Sequence, residues 1–405
     1  MSICEKNIFS IDEEIFWQFG YVFRRWIRKI LRCEEGYKVK MYPLESLTII
    51  QAMQLQFKLV DCITKVFAGN EILTRGDLGV VEGANKPVTT KKVEQVLADF
   101  FDVESAFLVR GAGTGAIRYA LHTVMQPAET ILVHKASVYN TTKTSLDMMQ
   151  AKLVYADYND LEQIKSVMEA HTEIKAALVQ YTRQEMQDSY CMENVIQTIK
   201  ECADIPIVTD DNYAVMKVEK NGTQCGADLA CFSTFKLLGP EGIGCVVGKE
   251  KYIKQLADFH YSGGSQTQGH EALEVLHGLA YAPVALAIQA EVNEECVKRL
   301  NAGELKGIKG AYLANAQSKV LLVEFEEAIA KKVLKEAQIL GAAPNPVGAE
   351  SKYEIAPMFY RVSGTFRESD PTLEERMIRI NPMRSGADTI LRILKSAMER
   401  AGVCF

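Results

Sequence analysis

The chain has 405 residues, 48% of them hydrophobic and 24% charged, and a formal net charge of −6. That length calls for two domains, or one large domain with a smaller cap, and that composition is of a soluble globular protein. The acidic balance leaves no excess of cations to neutralise phosphates, which excludes a nucleic-acid partner.

The ten cysteines include no CxxC pair, and no Cys/His cluster has the spacing of a metal site. Reduced thiols in a cytoplasmic protein without a metal are therefore expected. The N-terminal stretch MSICEKNIFSIDEEIF carries acids where a secretory leader needs a basic start and an unbroken apolar core. No run approaches the roughly 18 apolar residues of a membrane span, so no membrane partner is expected.

Residues 1–40 stand apart as an N-terminal helical extension. From Ile11 to Cys33, two tryptophans and several phenylalanines alternate with Arg24, Arg25, Arg28, Lys29 and Arg32. This pattern predicts an amphipathic helix that docks on the body or on a second subunit; a membrane surface is the other reading. A second helix is predicted over Leu44 to Ala68. The polar, glycine-rich segment Thr74 to Thr90 comes next, too long for a simple turn and of the kind that serves a site or meets another subunit. Lys92 to Phe101 returns to helical spacing.

From Ala106 onward, short apolar runs alternate with helical patterns. The runs are Ala106–Val109, Ile131–Val133, Leu153–Ala156, Ala176–Gln180, Ile205–Thr209, Leu229–Phe232 and Gly244–Val247. Continuously apolar strands divided by helices predict an α/β fold with a mostly parallel sheet covered on both faces. Glu271 to Leu300 reads as a long alanine-rich helix linking this domain to the next. Beyond Gly303 the elements are fewer and mixed: a strand at Val320–Phe325, a helix at Ala328–Leu340, a strand near Met377–Ile380 and a last helix from Asp388 to Ala401. The expected organisation is thus a large domain over 41–300, with an N-terminal arm, and a smaller α+β domain over 301–405.

Three points along this pattern carry chemistry. The first is Gly111-Ala112-Gly113-Thr114-Gly115-Ala116, between a strand and a helix. Glycines there let the backbone approach an oxyanion, and the open N–H groups of a helix start point at it. A tight connection without any ligand is the plain alternative. Gly111-x-Gly113-x-x-Ala116 also satisfies the relaxed dinucleotide fingerprint, yet the next strand ends Val133-His134-Lys135, where an acid is required. The second point is Asp210, ending its strand beside Asp211. A carboxylate at that end can hold a pyridine nitrogen protonated, and alternation lets only one of the two acids reach it; Asp210 is the one favoured. The third is Lys236 in Ser233-Thr234-Phe235-Lys236-Leu237-Leu238-Gly239. An amine there, partly desolvated, is nucleophilic enough to hold an aldehyde as a Schiff base and then to move a proton. Ser233 is placed to give its hydroxyl to a phosphate. Phosphate, ring nitrogen and aldehyde are the three places at which a protein grips pyridoxal 5'-phosphate.

In that order these residues resemble the fold-type-I pyridoxal-phosphate enzymes, the aspartate-aminotransferase superfamily, from about Tyr42 to the C-terminus. Ala112-Gly113-Thr114 is similar to the family's Ser-Gly-Thr phosphate loop, with alanine in place of serine. Asp210-Asp211-Asn212-Tyr213-Ala214 resembles its acid-plus-tyrosine strand end, and Ser233-x-x-Lys236 its Schiff-base motif. Tyr139 resembles the ring-stacking aromatic of the cystathionine-lyase branch. Arg379 in Met377-Ile378-Arg379-Ile380-Asn381 is similar to the arginine that clamps the substrate α-carboxylate, with Arg384 as the second candidate. Ser262 to Gly269, with Gly264, Ser265 and Gln266, resembles the segment by which one subunit completes its neighbour's phosphate site. Lys236-Leu237-Leu238-Gly239-Pro240 is also similar to the selenocysteine-synthase branch, although the acidic balance argues against a tRNA substrate. Val133-His134, Thr209 to Lys217 and Gly348 to Glu354 most resemble a poorly characterised bacterial group counted among the aminotransferases.

The resemblance implies a seven-stranded sheet, the cofactor pyridoxal phosphate, a homodimer with a shared site and an amino acid as small-molecule substrate. It implies an aminotransferase, with Lys236, Asp210 and Tyr139 catalytic. A lyase that cleaves C–S bonds of sulfur amino acids is the alternative on the same cofactor. A cofactor-binding protein without turnover, or a dinucleotide oxidoreductase, is the reading from another class. His134, His270, Arg183 and Gln187 are further pocket candidates, each also readable as structural. The side-chain pocket is built from loops that carry no motif, so the sequence names no substrate.

Overall fold

The structure is a computed structural model and describes residues 41–404, apart from 186, 317, 348 and 349. The amphipathic helix expected between 11 and 33 lies outside the described residues, as does the start of the 348–354 motif.

Seven strands form the larger sheet: β1 (Ser105–Arg110), β2 (Thr130–His134), β3 (Lys152–Ala156), β4 (Ile174–Gln180), β5 (Ile207–Asp210), β6 (Leu229–Ser233) and β7 (Ile243–Gly248). Their order is β1-β7-β6-β5-β4-β2-β3. Only β7 runs against its neighbours, β1 and β6; the remaining pairs are parallel. Every residue of β5, β6 and β7 is buried, because helices cover both faces. The alternation within β1 shows how: Ala106 and Leu108 join one core and Phe107 and Val109 the other. The first core is completed by the helices Ile49–Val66, Val88–Phe101 and Gly269–Asn301, the second by Ala112–Val124 and Glu250–Phe259. At the sheet edge β3 exposes Tyr155 and Lys152, as a strand with one uncovered side does.

A smaller antiparallel sheet, in the order β10-β11-β9-β8, makes the C-terminal domain from β8 (Ile308–Ala316), β9 (Ser318–Phe325), β10 (Met358–Arg361) and β11 (Met377–Asn381). The helices Ala330–Ile339 and Ala387–Ala401 cover it through Val333, Ala337, Ile390 and Leu394. Fold class is therefore as the sequence predicts, mixed α/β with a mostly parallel seven-stranded sheet. Two strands, β8 and β10, were not expected.

One stretch, Gly263–Asn301, which contains the 33-residue helix Gly269–Asn301, is long and apolar enough, by length and composition, to cross a membrane. Its apolar side chains are instead used inside the protein. Leu273, Leu276 and Leu279 pack into the core of the large sheet, and Cys296 and Leu300 into that of the small one.

Candidate active site

Parallel strands of an open sheet leave a crevice at their carboxyl ends, and ligands bind there. Here β4, β5 and β6 end in Gln180, Asp210 and Ser233, and all three line a cavity of about 350 Å³. Ala112, Gly113, Thr114, Tyr139, Tyr213 and Lys236 line it as well.

The glycine-rich turn sits at this cavity because of how β1 meets the helix Ala112–Val124. Gly111 adopts φ +100° and Ala112 φ +53°, so the chain reverses sharply as the strand ends. The N–H groups of both donate to the Gly242 carbonyl, at 2.8 and 2.9 Å, which ties the turn to the start of β7. Gly115 N–H closes the first helical turn on Gly111 O at 2.8 Å. A helix start leaves its first N–H groups without an intrahelical acceptor, and those of Gly113 and Thr114 border the cavity. The Thr114 and Thr141 hydroxyls meet at 3.0 Å, joining this turn to the helix Asn140–Met148 just after Tyr139.

Asp210 and Lys236 face each other across the same space. Asp210 Oδ1 accepts from the backbone N–H of Asn212 at 3.0 Å and from Asn212 Nδ2 at 2.8 Å. Asn212 Oδ1 accepts from Ser233 N–H at 3.0 Å. A side chain at Gly113 would collide with Asn212, so this one residue touches the glycine turn, the acid and the serine together. Burial raises the Asp210 carboxyl above its usual range, opposed by the Lys236 charge and by the bonds from Asn212. Asp211 points the other way, as strand alternation requires, and accepts from Gly222 N–H at 2.7 Å. Burial pushes Asp211 up to about 7.

Lys236 lies in a short 3-10 turn, Thr234–Leu237, at the end of β6. Its Nζ stands 3.7 Å from the centre of the Tyr213 ring. Burial lowers this amine from 10.5 to about 8, against the pull of the Asp210 carboxylate, so a neutral and nucleophilic fraction exists near neutral pH. A second lysine, half-buried Lys217, has its Nζ 5.3 Å from the same ring and is paired with Glu350. Gln289 Nε2 donates to the other oxygen of Glu350 at 2.9 Å.

Tyr139 and Gln180 also line a neighbouring cavity of about 340 Å³. Arg379, on β11, borders that one, with Arg183, Arg361 and Arg367. Arg379 Nε donates to Arg361 O at 2.8 Å, and its guanidinium stacks 4.1 Å from the Tyr360 ring centre.

The sequence candidates thus separate into those that meet and those that do not. Ala112, Gly113, Thr114, Tyr139, Asp210, Tyr213, Ser233 and Lys236 share the first cavity; Arg379 and Arg183 border the second. Arg384 borders neither: Nη1 reaches Gln289 Oε1 at 3.4 Å, on the far side of Tyr213. His134 is buried against Asp188 at 3.2 Å, and Gln187 and His270 are exposed outside both cavities. In the 3-10 turn at Gly263–Ser265, Gly264 is exposed and Ser265 half-buried. Gln266 is buried and donates to His260 O within its own chain, so its side chain is not offered to a neighbour. The sequence singled out no role for Asn212, although it stands inside the acidic motif, and none for Gln180, Lys217 or Glu350.

Comparison with known proteins bears on this site. Residues 82–278 match the Aminotransferase class-V family, and residues 294–394 match the YhfS-like C-terminal domain. Over 360 residues the chain is 54% identical to the uncharacterized protein YhfS of Escherichia coli (strain K12), spanning 89% of this chain and 99% of that one. The chain belongs to the YhfS-like family of fold-type-I pyridoxal-phosphate enzymes. The crystal structure of YhfS from Escherichia coli, described as a pyridoxal-5'-phosphate-dependent protein, matches with a TM-score of 0.87 at 53% identity, covering 89% of this chain and 99% of that one. Two more distant structures share the fold alone. A cystathionine gamma lyase from Micromonospora echinospora matches at a TM-score of 0.69 and 14% identity, covering 85% and 99% of the two chains. A cystathionine gamma synthase from Xanthomonas oryzae pv. oryzae matches at 0.66 and 17%, covering 86% and 98%.

The residues of the first cavity fit the family's cofactor. Its lining includes a helix start at which a Cβ on Gly113 would not fit, a buried carboxylate at Asp210, and the Lys236 amine lowered to about 8. Those groups suit a phosphate, a ring nitrogen and an aldehyde respectively.

Proposed function

We propose that this protein is an amino-acid-transforming enzyme that carries pyridoxal phosphate on Lys236, and that it acts as an aminotransferase. The observation that carries the reading is the convergence of Gly113, Asp210 and Lys236 on one cavity, from three separate strand ends. When bound, the cofactor supplies an electron sink conjugated to the substrate's α-carbon.

The remaining steps belong to the chain's own residues. Gly113 and Thr114 would hold the phosphate through backbone N–H groups, with the Thr114 and Ser233 hydroxyls beside them. Asp210 would keep the ring nitrogen protonated, and Asn212 holds that carboxylate in place through bonds of 2.8 and 3.0 Å. Tyr139 would cover one face of the ring. The Lys236 amine would be the base that takes the substrate's α-proton and gives it back at another atom. Its lowered pKa suits that task, because a base that titrates near the working pH is neutral often enough to accept a proton. Arg379 would grip the α-carboxylate as a bidentate fork. Gly264 and Ser265, at the surface of their own chain, would complete the phosphate site of a second copy in a homodimer.

Cleavage of a C–S bond is the second reading. It is favoured by Tyr139, which lines both cavities and would therefore lie between cofactor and substrate side chain. Two measurements test the proposal. The purified protein should show the visible absorption band of lysine-bound pyridoxal phosphate, and Lys236→Ala should remove it; a band retained in that variant overturns the assignment. Keto-acid release that depends on an added keto-acid acceptor marks aminotransfer. Release without an acceptor, together with ammonia, marks the lyase.

A further inference from the structure

The second cavity carries more positive charge than one amino acid's α-carboxylate can use. Four arginines border it, Arg183, Arg361, Arg367 and Arg379, and no aspartate or glutamate among the described residues does. They come from three separate parts of the chain: the loop after β4, the end of β10 with the short helix Gly364–Ser369, and β11. The fold thus brings these like charges together, and nothing in local sequence explains them.

Arg183 rests against neutral groups. Arg183 donates to Tyr190 O at 2.7 Å and to Tyr42 O at 3.1 Å, and stacks 4.9 Å from the Tyr190 ring centre. Arg379 is held by Arg361 O and the Tyr360 ring. Arg367 donates to Val362 O at 3.1 Å, and its carboxylate neighbour, Glu374 at 3.7 Å, does not line the cavity. Arg361 ends β10 exposed. The arginines also feel one another: burial lowers the Arg379 pKa, and the charges of Arg367 and Arg361 lower it further. Like charges gathered at a concave wall repel one another, more strongly the less solvent reaches them. Such an arrangement is repaid when an anion sits among them, because each guanidinium offers a fork that matches a carboxylate or phosphate.

One fork satisfies the α-carboxylate that the proposed function assigns to Arg379. We infer that the remaining arginines read a second anionic group, so that the substrate is an amino acid whose side chain ends in a carboxylate or a phosphate. Arg361 and Arg367 would hold that distal group, while Arg183, fixed by two carbonyls, adds field. Tyr139 and Gln180 border both this cavity and the one that holds Lys236, so the two lie side by side and a single substrate would reach from one into the other. This inference rests on the proposed roles of Arg379 and Lys236.

The test is isothermal titration of the purified holoenzyme with probes that lack an amine and therefore cannot react: butyrate, glutarate and 3-phosphonopropionate. Glutarate or the phosphonate should bind at least about tenfold tighter than butyrate, the size of one added charge-assisted pair. Which of the two binds tighter separates a carboxylate side chain from a phosphorylated one. Arg361→Gln and Arg367→Gln should each reduce that preference several-fold, and the double variant should abolish it. Arg361→Lys, which keeps the charge, should retain part of it. Equal affinity for all three probes overturns the inference, as does a double variant that still prefers the dianions. The absorption band of Lys236-bound cofactor is recorded on the same samples. Loss of the band counts against the cofactor reading, and loss of the dianion preference counts against this one, so the two failures are distinct.

Discussion

Asn212 is the residue through which the glycine turn, the acid and the serine act together, and Gly113→Ala tests that directly. A Cβ at position 113 would lie 2.5 Å from Asn212 Nδ2 and 2.8 Å from its Cγ, so the side chain must swing aside. Doing so gives up its bond to Asp210 Oδ1 at 2.8 Å and the one from Ser233 N–H at 3.0 Å. The first is charge-assisted and worth about 1.5–3 kcal/mol; the second is worth about 1 kcal/mol. Alanine regains at most about 1 kcal/mol of helix propensity at this position. The expected net loss is about 1.5–3 kcal/mol. In urea titrations it appears as lowered stability of the cofactor-free chain, and in fluorescence titrations with pyridoxal phosphate as cofactor binding weakened by about ten- to a hundredfold. The mechanism is separated from a plain clash by repeating the substitution in an Asn212→Ala background. There the collision is gone, and Gly113→Ala should lose most of its effect. Equal losses in both backgrounds, with a coupling under about 0.5 kcal/mol, would refute the reasoning.

The buried charges lead to three further outcomes. The rate at which cofactor-free protein takes up pyridoxal phosphate should rise with pH around a midpoint near 8, because burial lowers the Lys236 amine to that value. Asp210→Asn should move the midpoint lower still, since the carboxylate raises it; a midpoint near the ordinary lysine value of 10.5 contradicts this. Asp211 is raised from 3.8 to about 7 by burial, so the unfolded chain loses this proton first as pH rises. Its contribution to stability is therefore lost between about pH 4 and pH 7, at up to about 1.4 kcal/mol per pH unit. Asp211→Asn should remove that slope in urea titrations across the same range, and an unchanged slope speaks against a shifted Asp211. Glu350→Gln leaves Lys217 half-buried beside Tyr213 without its counter-charge and should lower stability by about 3 kcal/mol. Lys217→Met combined with Glu350→Leu should recover most of that loss, as read by the urea midpoint.

What could be read from the sequence was what local pattern encodes. The apolar runs gave all seven strands of the large sheet, because strands buried on both faces cannot hide their composition. Gly111 to Ala116, Asp210 and Lys236 each announce a strand end that needs a special residue. β8 escaped because IKGAYLANA is built from small residues and glycine, and owes its strand form to pairing along β9. Its clearest support is tertiary, the contact of Lys309 with Glu324 at 3.0 Å across the pair. The long helix looked harmless by the count of consecutive apolar residues, yet its average is high enough for a membrane; only its partners on both sheets show where those side chains go. The pair of Lys217 and Glu350 joins residues 133 positions apart, and no spacing rule foretells it. The gathering of Arg183, Arg361, Arg367 and Arg379 has the same cause. Arg379 had a motif around it, and the others acquire meaning only when β10 and β11 pair and carry them to the loop after β4.

The claim on which the account turns is that Lys236, and no other lysine, carries the cofactor. Borohydride reduction of the yellow protein and then peptide mass mapping test it directly, because reduction fixes the cofactor to whichever amine holds it. Lys217 is the informative competitor, since its amine lies 5.3 Å from the centre of the same Tyr213 ring that Lys236 approaches to 3.7 Å. The account predicts the pyridoxyl mass on the peptide containing Lys236 and on that peptide alone. A label on Lys217 or elsewhere, or a protein that takes up no label, would contradict it.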